Sequence, residues 1–289
     1  MDKQEKEMIK ISVRNLVEFI LRKGDLDNRR SAAFDREAML KGGRIHRKIQ
    51  KQMKASYRAE VPLKWEQEYE DFIISVEGRA DGIIEEDNRT AIDEIKGVYM
   101  DLNYLEEPVE VHKAQAMCYA YIYASQTGKE EIQVQMTYCQ MESEEIRRFT
   151  EDFTIDKLKK WFEDLLGAYY KWAKFQYDRR ILRRNSMEGL EFPYPYRQGQ
   201  RELVTGVYHT ITTGRQLFIQ APTGIGKTMA AVFPAVRAVG QGYGDKIFYL
   251  TAKTITRTVA QEAFALLKEM GLSYKTLTIT AKEKLCCLE

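Results

Sequence analysis

The segment that most restricts the fold of this 289-residue chain is APTGIGKT, residues 221–228. It stands between an apolar run, QLFIQ, and a helix-forming stretch that begins at Thr228. That is the placement of a phosphate-binding loop with Ala221 in the first glycine position. Gly224 and Gly226 let backbone N–H groups turn toward a polyphosphate, and the helix N-terminus adds its positive end. Lys227 is placed to reach the outer phosphates and Thr228 to ligate magnesium. Around the loop the order is a helix over about 197–213, the strand QLFIQ, the Gly-rich turn, a helix, the strand KIFYLT, a helix over about 254–270 and the strand-like TLTIT. Such alternation predicts a parallel sheet with right-handed crossovers.

Upstream, SMEGLEFPYPY at 186–196 loses helical period and carries two prolines and a glycine, which marks a linker. The expected domains are therefore 8–185, the linker, and 197–289. Within the first, KGGRIHRKIQKQMKASYR at 41–58 holds seven Lys or Arg and no acid, with Ile45, Ile49 and Met53 at helical spacing. It predicts a basic amphipathic helix. VPLKWEQEY, FIISV and TAIDEIKG then show strand periodicity and predict a short antiparallel meander. A helix is expected from about Pro108 to Thr127, closed by Gly128, with Val111, Cys118, Tyr121, Ile122 and Ser125 on one side. EIQVQMTYC reads as a strand, and a long helix starts near Thr154 and ends in DRRILRRNS.

Composition narrows the class. Charged residues are 30% of the chain, apolar ones 44%, and no apolar run approaches the ~20 residues of a membrane span. The charged N-terminus, MDKQEKEMIK, lacks the apolar core of a secretory signal, so the cytoplasm is the expected compartment. Cys118, Cys139, Cys286 and Cys287 form no disulfide framework and are expected to be reduced. A net charge of +2 leaves the question of nucleic acid to local charge.

GRADGIIEEDNRTAIDEIKG, residues 78–97, sets Asp81 on one strand and Glu94 and Lys96 on the next. Taken alone it reads as a solvated hairpin more than as a site. Yet phosphodiester hydrolysis needs a divalent metal held by hard oxygen ligands, and a positive group beside the attacked phosphate. Glu94 and Lys96, two apart on a strand, project from one face, and Asp81 reaches that face if the strands pair. Asp93 projects from the opposite face and is expected to matter much less. His46 lies in the basic helix beside the Ile45 stripe, and Gln115 and Tyr119 stand at i and i+4 on one helix face.

Two resemblances follow. The order His46, Asp81, Glu94-x-Lys96, Gln115-x3-Tyr119 resembles the RecB-type branch of the PD-(D/E)XK nucleases over about residues 8–180. It implies a restriction-endonuclease-like mixed α/β domain, with His46, Asp81, Glu94 and the carbonyl of Ile95 as ligands of Mg2+ or Mn2+. Lys96 would orient the attacking water or stabilise the phosphorane-like charge, and Gln115 and Tyr119 would position the lysine or the DNA backbone. Lys41, Arg44, Arg47, Lys48, Lys51 and Lys54 would then line a sequence-independent phosphate path. From about residue 190, RQGQ at 197–200, the phosphate loop and FYLTAKTITRTVAQEA resemble the iron-sulfur DNA helicases related to XPD and DinG.

That second resemblance implies a partial RecA-like P-loop domain. ATP would be held by Thr223, Gly224, Ile225, Gly226, Lys227 and Thr228, with Gln200 on adenine and Thr251 to Thr254 near the DNA path. A four-iron cluster is expected only in a longer form, with Cys286 or Cys287 as its first ligand, because four thiolate positions are needed. The expected whole is an α/β nuclease-helicase of DNA repair or recombination. The alternative is a first domain that has lost cleavage and serves the motor as a DNA-binding clamp. A small-molecule kinase is disfavoured by the TAKT stretch and the N-terminal fusion.

Overall fold

A computed structural model describes residues 6–24, 32–87, 89–251 and 254–281. The chain divides into two compact units, Met1–Tyr177 and Asp178–Glu289. The first contains β1 (Glu7–Ser12), α1 (Val13–Ile20), α2 (Ala32–Gln52), β2 (Tyr57–Glu68), β3 (Phe72–Glu86), β4 (Arg89–Val98), α3 (Glu110–Thr127), β5 (Glu131–Gln140) and β6 (Ile146–Thr154). Helix α4 (Ile155–Met187) begins in this unit and ends in the next.

The meander is present as expected: β2 pairs antiparallel with β3, and β3 antiparallel with β4. The sheet continues through β5, parallel to β4, and β6, antiparallel to β5. Parallel pairing of β4 with β5 requires a crossover, and α3 supplies it. Strand β1, which the sequence reading did not foresee, runs parallel to the first half of β3 from Glu7↔Phe72 to Ser12↔Glu77. Strand β4 pairs only with the second half, from Gly82↔Asp93 to Glu86↔Arg89. The side of β3 opposite β2 is thus shared end to end by two strands. A gap is left at residues 78–81.

At that gap the strands also change face. In β3 the residues that join the main core are Phe72, Ile74, Val76 and Ala80, and then Ile83. Strict alternation would select even positions throughout, so it slips by one between Ala80 and Ile83. The two glycines of GRADG report the same slip. A Cβ on Gly78 would press on the Tyr119 hydroxyl of α3, whereas one on Gly82 would overlap the hydroxyl of Tyr57. Tyr57 in turn hydrogen-bonds Asp93, on the sheet face away from α3. Strand β2 accommodates the slip through Glu60, which has φ 57° and no rung to β3.

Burial explains the rest of the unit. Helix α3 is buried on nearly all sides from Ala116 to Ala124, while Ser125, expected on one side with Val111, Cys118, Tyr121 and Ile122, is exposed. Gly128, with φ 68°, caps it as predicted. On the other face α2 lays Ile45 and Ile49 on Ile95, Cys139 and Met141. The helix stops at Gln52, so Met53 and Lys54, placed on it by the sequence reading, lie in the turn that leads to Tyr57.

The second unit holds α5 (Gln200–Thr212), α6 (Lys227–Gly240) and α7 (Thr254–Glu269), close to the expected spans. Its strands are a correction. Among the described residues QLFIQ, KIFYLT and TLTIT form no ladder, and the sheet lies wholly in the first unit. The period of two survives: Thr276, Thr278 and Thr280 bond to Lys268, Gln261 and Arg257 of α7 at 2.8, 2.8 and 3.5 Å. Leu277 and Ile279 between them are 86% and 81% exposed. Parallel strands are stable when both faces are covered and their edges paired; here helix side chains hold one face only.

Gly82→Ala is expected to lower Tm, at the upper end of the about 1–3 kcal/mol that overpacking costs. The same change at Gly167, exposed in α4 with nothing within 4 Å of a new Cβ, should raise Tm through helix propensity, worth about 0.5–1 kcal/mol. Thermal unfolding of both variants checks the pair.

Candidate nuclease site and nucleotide loop

The gap in β3 is where the predicted residues of the first unit meet. With no rung at Asp81, the N–H of Ile95 donates to the Asp81 carboxylate, Oδ2, at 2.8 Å. Asp81 Oδ1 lies 3.4 Å from His46 Nδ1 on α2. Glu94 and Lys96 share one face, as their spacing requires. The Lys96 ammonium donates to Glu94 Oε1 at 2.7 Å and to Gln115 Oε1 of α3 at 3.0 Å. Tyr119, one helical turn on, packs its hydroxyl against Gly78. His46, Asp81, Glu94, Lys96, Gln115 and Tyr119 are therefore brought together. For Ile95 it is the N–H that the geometry ties to Asp81.

Electrostatics set Glu94 apart. It is 1% exposed, and burial pushes its carboxyl up to about 8 against the opposing pull of Lys96. Its second oxygen, Oε2, is buried with no hydrogen-bond partner. An orphaned buried carboxylate oxygen is costly, and it marks where a cation would be welcome. Burial acts against protonation of His46, but the hydrogen bond and charge of Asp81 outweigh it and raise its pKa. Burial raises the Tyr119 hydroxyl too, with Glu94 adding to the effect.

The donor set, one imidazole, two carboxylates and a main-chain carbonyl, suits a hard divalent ion, and the orphaned oxygen fits the same reading. In the arrangement described, Asp81 is engaged by Ile95 and His46, and Glu94 by Lys96. Among the described residues no group of three His, Cys, Asp or Glu side chains is disposed to hold a metal ion. Ion binding would require some of these bonds to be exchanged.

Asp93 faces away, as expected, but it is not idle. It accepts from Thr137 Oγ1 at 2.5 Å, Gln135 Nε2 at 3.0 Å and Tyr57 at 3.2 Å. Burial raises its pKa, and these three donors oppose the shift.

Other neighbours escaped the sequence reading. His112, three residues before Gln115, lies 3.2 Å through Nδ1 from the hydroxyl of Tyr138, which accepts the N–H of Val109 at 3.0 Å. Burial first and Lys96 second lower His112 to about 4, so it stands neutral. Gln50, one turn after His46, donates to the carbonyl of Asp81 at 2.9 Å. The helical spacings to Gln115 and His46 were the available signals. On the basic helix, Lys48 pairs with Glu144 and Lys41 lies 5.6 Å from the centre of the Tyr99 ring.

In the second unit the loop enters α6 at Lys227, with Gly224 at φ 88° and Gly226 at φ 80°. Gln200, 3% exposed, packs its amide against Gly226 and accepts the N–H of Arg197 at 3.0 Å. The Arg197 guanidinium bonds to the Gly224 carbonyl. Lys227 folds back onto the carbonyls of Ala221 and Pro222 at 3.0 and 2.9 Å. Gln200 and the loop are thus adjacent. Thr251 is described, whereas Ala252, Lys253, Cys286 and Cys287 lie outside the described residues. Cys118 and Cys139 are free and buried.

Comparison with known proteins is consistent with both units. A family model described as PD-(D/E)XK nuclease superfamily matches residues 6–186, and one described as DEAD/DEAH box helicase matches residues 199–285. The solved structure of SSO0001 aligns at 20% identity over 57% of this chain and 78% of that chain, with a TM-score of 0.37, too low to bear on the fold. A search of curated proteins finds no match.

Glu94→Gln tests the electrostatics directly. The folded carboxyl binds its proton more tightly than the unfolded one, so Glu94 costs stability progressively as pH rises from its ordinary value near 4.5 toward about 8. The variant should melt higher than the parent in EDTA at pH 7.5, with a smaller gain at pH 5, by calorimetry or circular dichroism.

Proposed function

We propose, for a chain that belongs to the PD-(D/E)XK nuclease superfamily, that its first unit hydrolyses DNA phosphodiester bonds with Mg2+ or Mn2+. The observation that carries this reading is the buried Glu94 carboxyl, one oxygen on Lys96 and the other without a partner, beside Asp81. His46, Asp81, Glu94 and the Ile95 carbonyl would hold the ion, which when bound polarises a phosphoryl oxygen and acidifies a water. Lys96, steered by Gln115, places its ammonium beside the attacked phosphate, where it orients the incoming oxygen and offsets the charge that develops. Tyr119, against Gly78, fixes the α3 side of the cleft. Lys41, Arg44, Arg47, Lys51 and Lys54 guide the sugar-phosphate backbone without reading sequence; Lys48 contributes less while paired with Glu144.

The RecB-type order of these residues supports a role for the unit in DNA repair or recombination. The second unit is helicase-like. Its residues Thr223 to Thr228 would bind ATP, with Gln200 beside the adenine, as part of an XPD/DinG-like motor acting on DNA in the cytoplasm; no described helix is long and apolar enough to cross a membrane. One observation favours a second reading, a DNA-binding clamp without cleavage: Asp81 is already engaged by Ile95 and His46, and Glu94 by Lys96.

Cleavage assays separate the two. Purified protein with Mg2+ or Mn2+ should cut single-stranded or duplex DNA, and Asp81→Ala, Glu94→Ala and Lys96→Ala should each remove cutting while DNA binding persists. DNA left intact with either metal selects the clamp. Lys227→Ala should leave cutting unchanged and weaken ATP binding, read by nucleotide fluorescence.

A further inference from the structure

The carbonyl of Asp81 lies at the point where the sheet loses its rungs on both sides. Glu60, its opposite number on β2, has a left-handed φ of 57°, and β4 begins pairing only at Gly82. A half-buried carbonyl without a rung in such a place calls for a donor. Two side chains approach it: Gln50 Nε2 at 2.9 Å and the Tyr57 hydroxyl at 3.4 Å. Tyr57 has one hydrogen, and the Asp93 carboxylate, at 3.2 Å, is the closer and more strongly attracting acceptor. Gln50 is left as the principal donor. Its amide also bonds Glu60 Oε1 at 3.1 Å, so one side chain spans both halves of the irregularity.

Gln50 and His46 are four residues apart on α2 and touch Asp81 at its main chain and its side chain respectively. We infer that Gln50 is a positioning residue of the proposed site. By gripping the Asp81 carbonyl it holds the slipped setting of β3 in which the carboxylate turns toward Glu94 and Lys96, rather than the setting of an unbroken ladder. Glu60 serves the same end by adopting the backbone conformation that the slip requires. This rests on the nuclease reading, since Asp81 is its proposed metal ligand.

Gln50→Met keeps the length and volume of the side chain and removes the donor. Mn2+ titration of the DNA-free protein, followed by electron paramagnetic resonance, should show dissociation weakened about tenfold, the lower end of what orienting partners of metal ligands contribute. With DNA, kcat should fall at least tenfold while KM for DNA stays within twofold, and Tm should move little. Should Gln50→Met fail to fold, Gln50→Asn, which keeps polarity but falls short of the carbonyl, carries the same measurements. Parental Mn2+ affinity and kcat in the folded variant would overturn the inference, as would a rise in KM alone. A parent protein that neither binds Mn2+ nor cuts DNA would sink the nuclease reading itself, and this inference with it.

Discussion

The hydrogen bond from the N–H of Ile95 to the carboxylate of Asp81 stands where a backbone rung would otherwise be. Main-chain groups inside a sheet must be paired by something. Because β1 occupies the first half of β3 and β4 the second, the residues between them have no strand neighbour on that side. One aspartate side chain takes over the missing acceptor and in doing so fixes its own direction. Strand β4 is released to carry Glu94 and Lys96 toward α3, while α2 reaches across to the same aspartate from the other face. The cleft is a consequence of how the sheet divides.

Two adjacent carboxyls show what the division does to charge. Asp93 and Glu94 are both buried and both have raised pKa values. Asp93 receives three donors, from Tyr57, Gln135 and Thr137, and knits β2, β4 and β5 together on the face away from α3. Glu94 has one donor, Lys96, and an oxygen without any. A buried polar group that is fully satisfied adds rigidity; one that is not is a liability tolerated for another reason. The contrast separates a satisfied carboxyl from an unsatisfied one more clearly than burial alone does.

Strand periodicity made β2, β3, β4 and β5 legible, and i, i+4 spacing made Gln115 and Tyr119 legible, because both rules depend only on regular geometry. The slip at Asp81 was not legible, since alternation cannot announce its own interruption; the clue was a pair of glycines at even spacing that face opposite tyrosines. Strand β1 and helix α1 were missed although EMIKISVRNLVEFI alternates up to Ser12 and then sets Val13, Leu16, Val17 and Ile20 at helical spacing, with Ser12 as a cap accepting the N–H of Asn15. In the second unit the alternation of TLTIT survives in the bonds of Thr276, Thr278 and Thr280 to α7, but among the described residues the strand expected there is not formed. Ladder formation depends on neighbours, which local periodicity does not specify.

The two lysines to which the proposed function gives central roles are held alike and differ in what release requires. Lys227 rests on two neutral carbonyls, those of Ala221 and Pro222. A polyphosphate offers it charged acceptors in their place, an exchange that strengthens its bonds. Lys96 already holds the Glu94 carboxyl and an amide oxygen, so an incoming phosphate competes with a carboxyl that becomes a charge in contact whenever it ionises. A cation near the orphaned oxygen of Glu94 would weaken that competition by drawing the carboxylate's charge away from the lysine. Cation and phosphate are therefore expected to favour each other's binding at the first site, whereas Lys227 needs no cation at Glu94 to be freed for its phosphates.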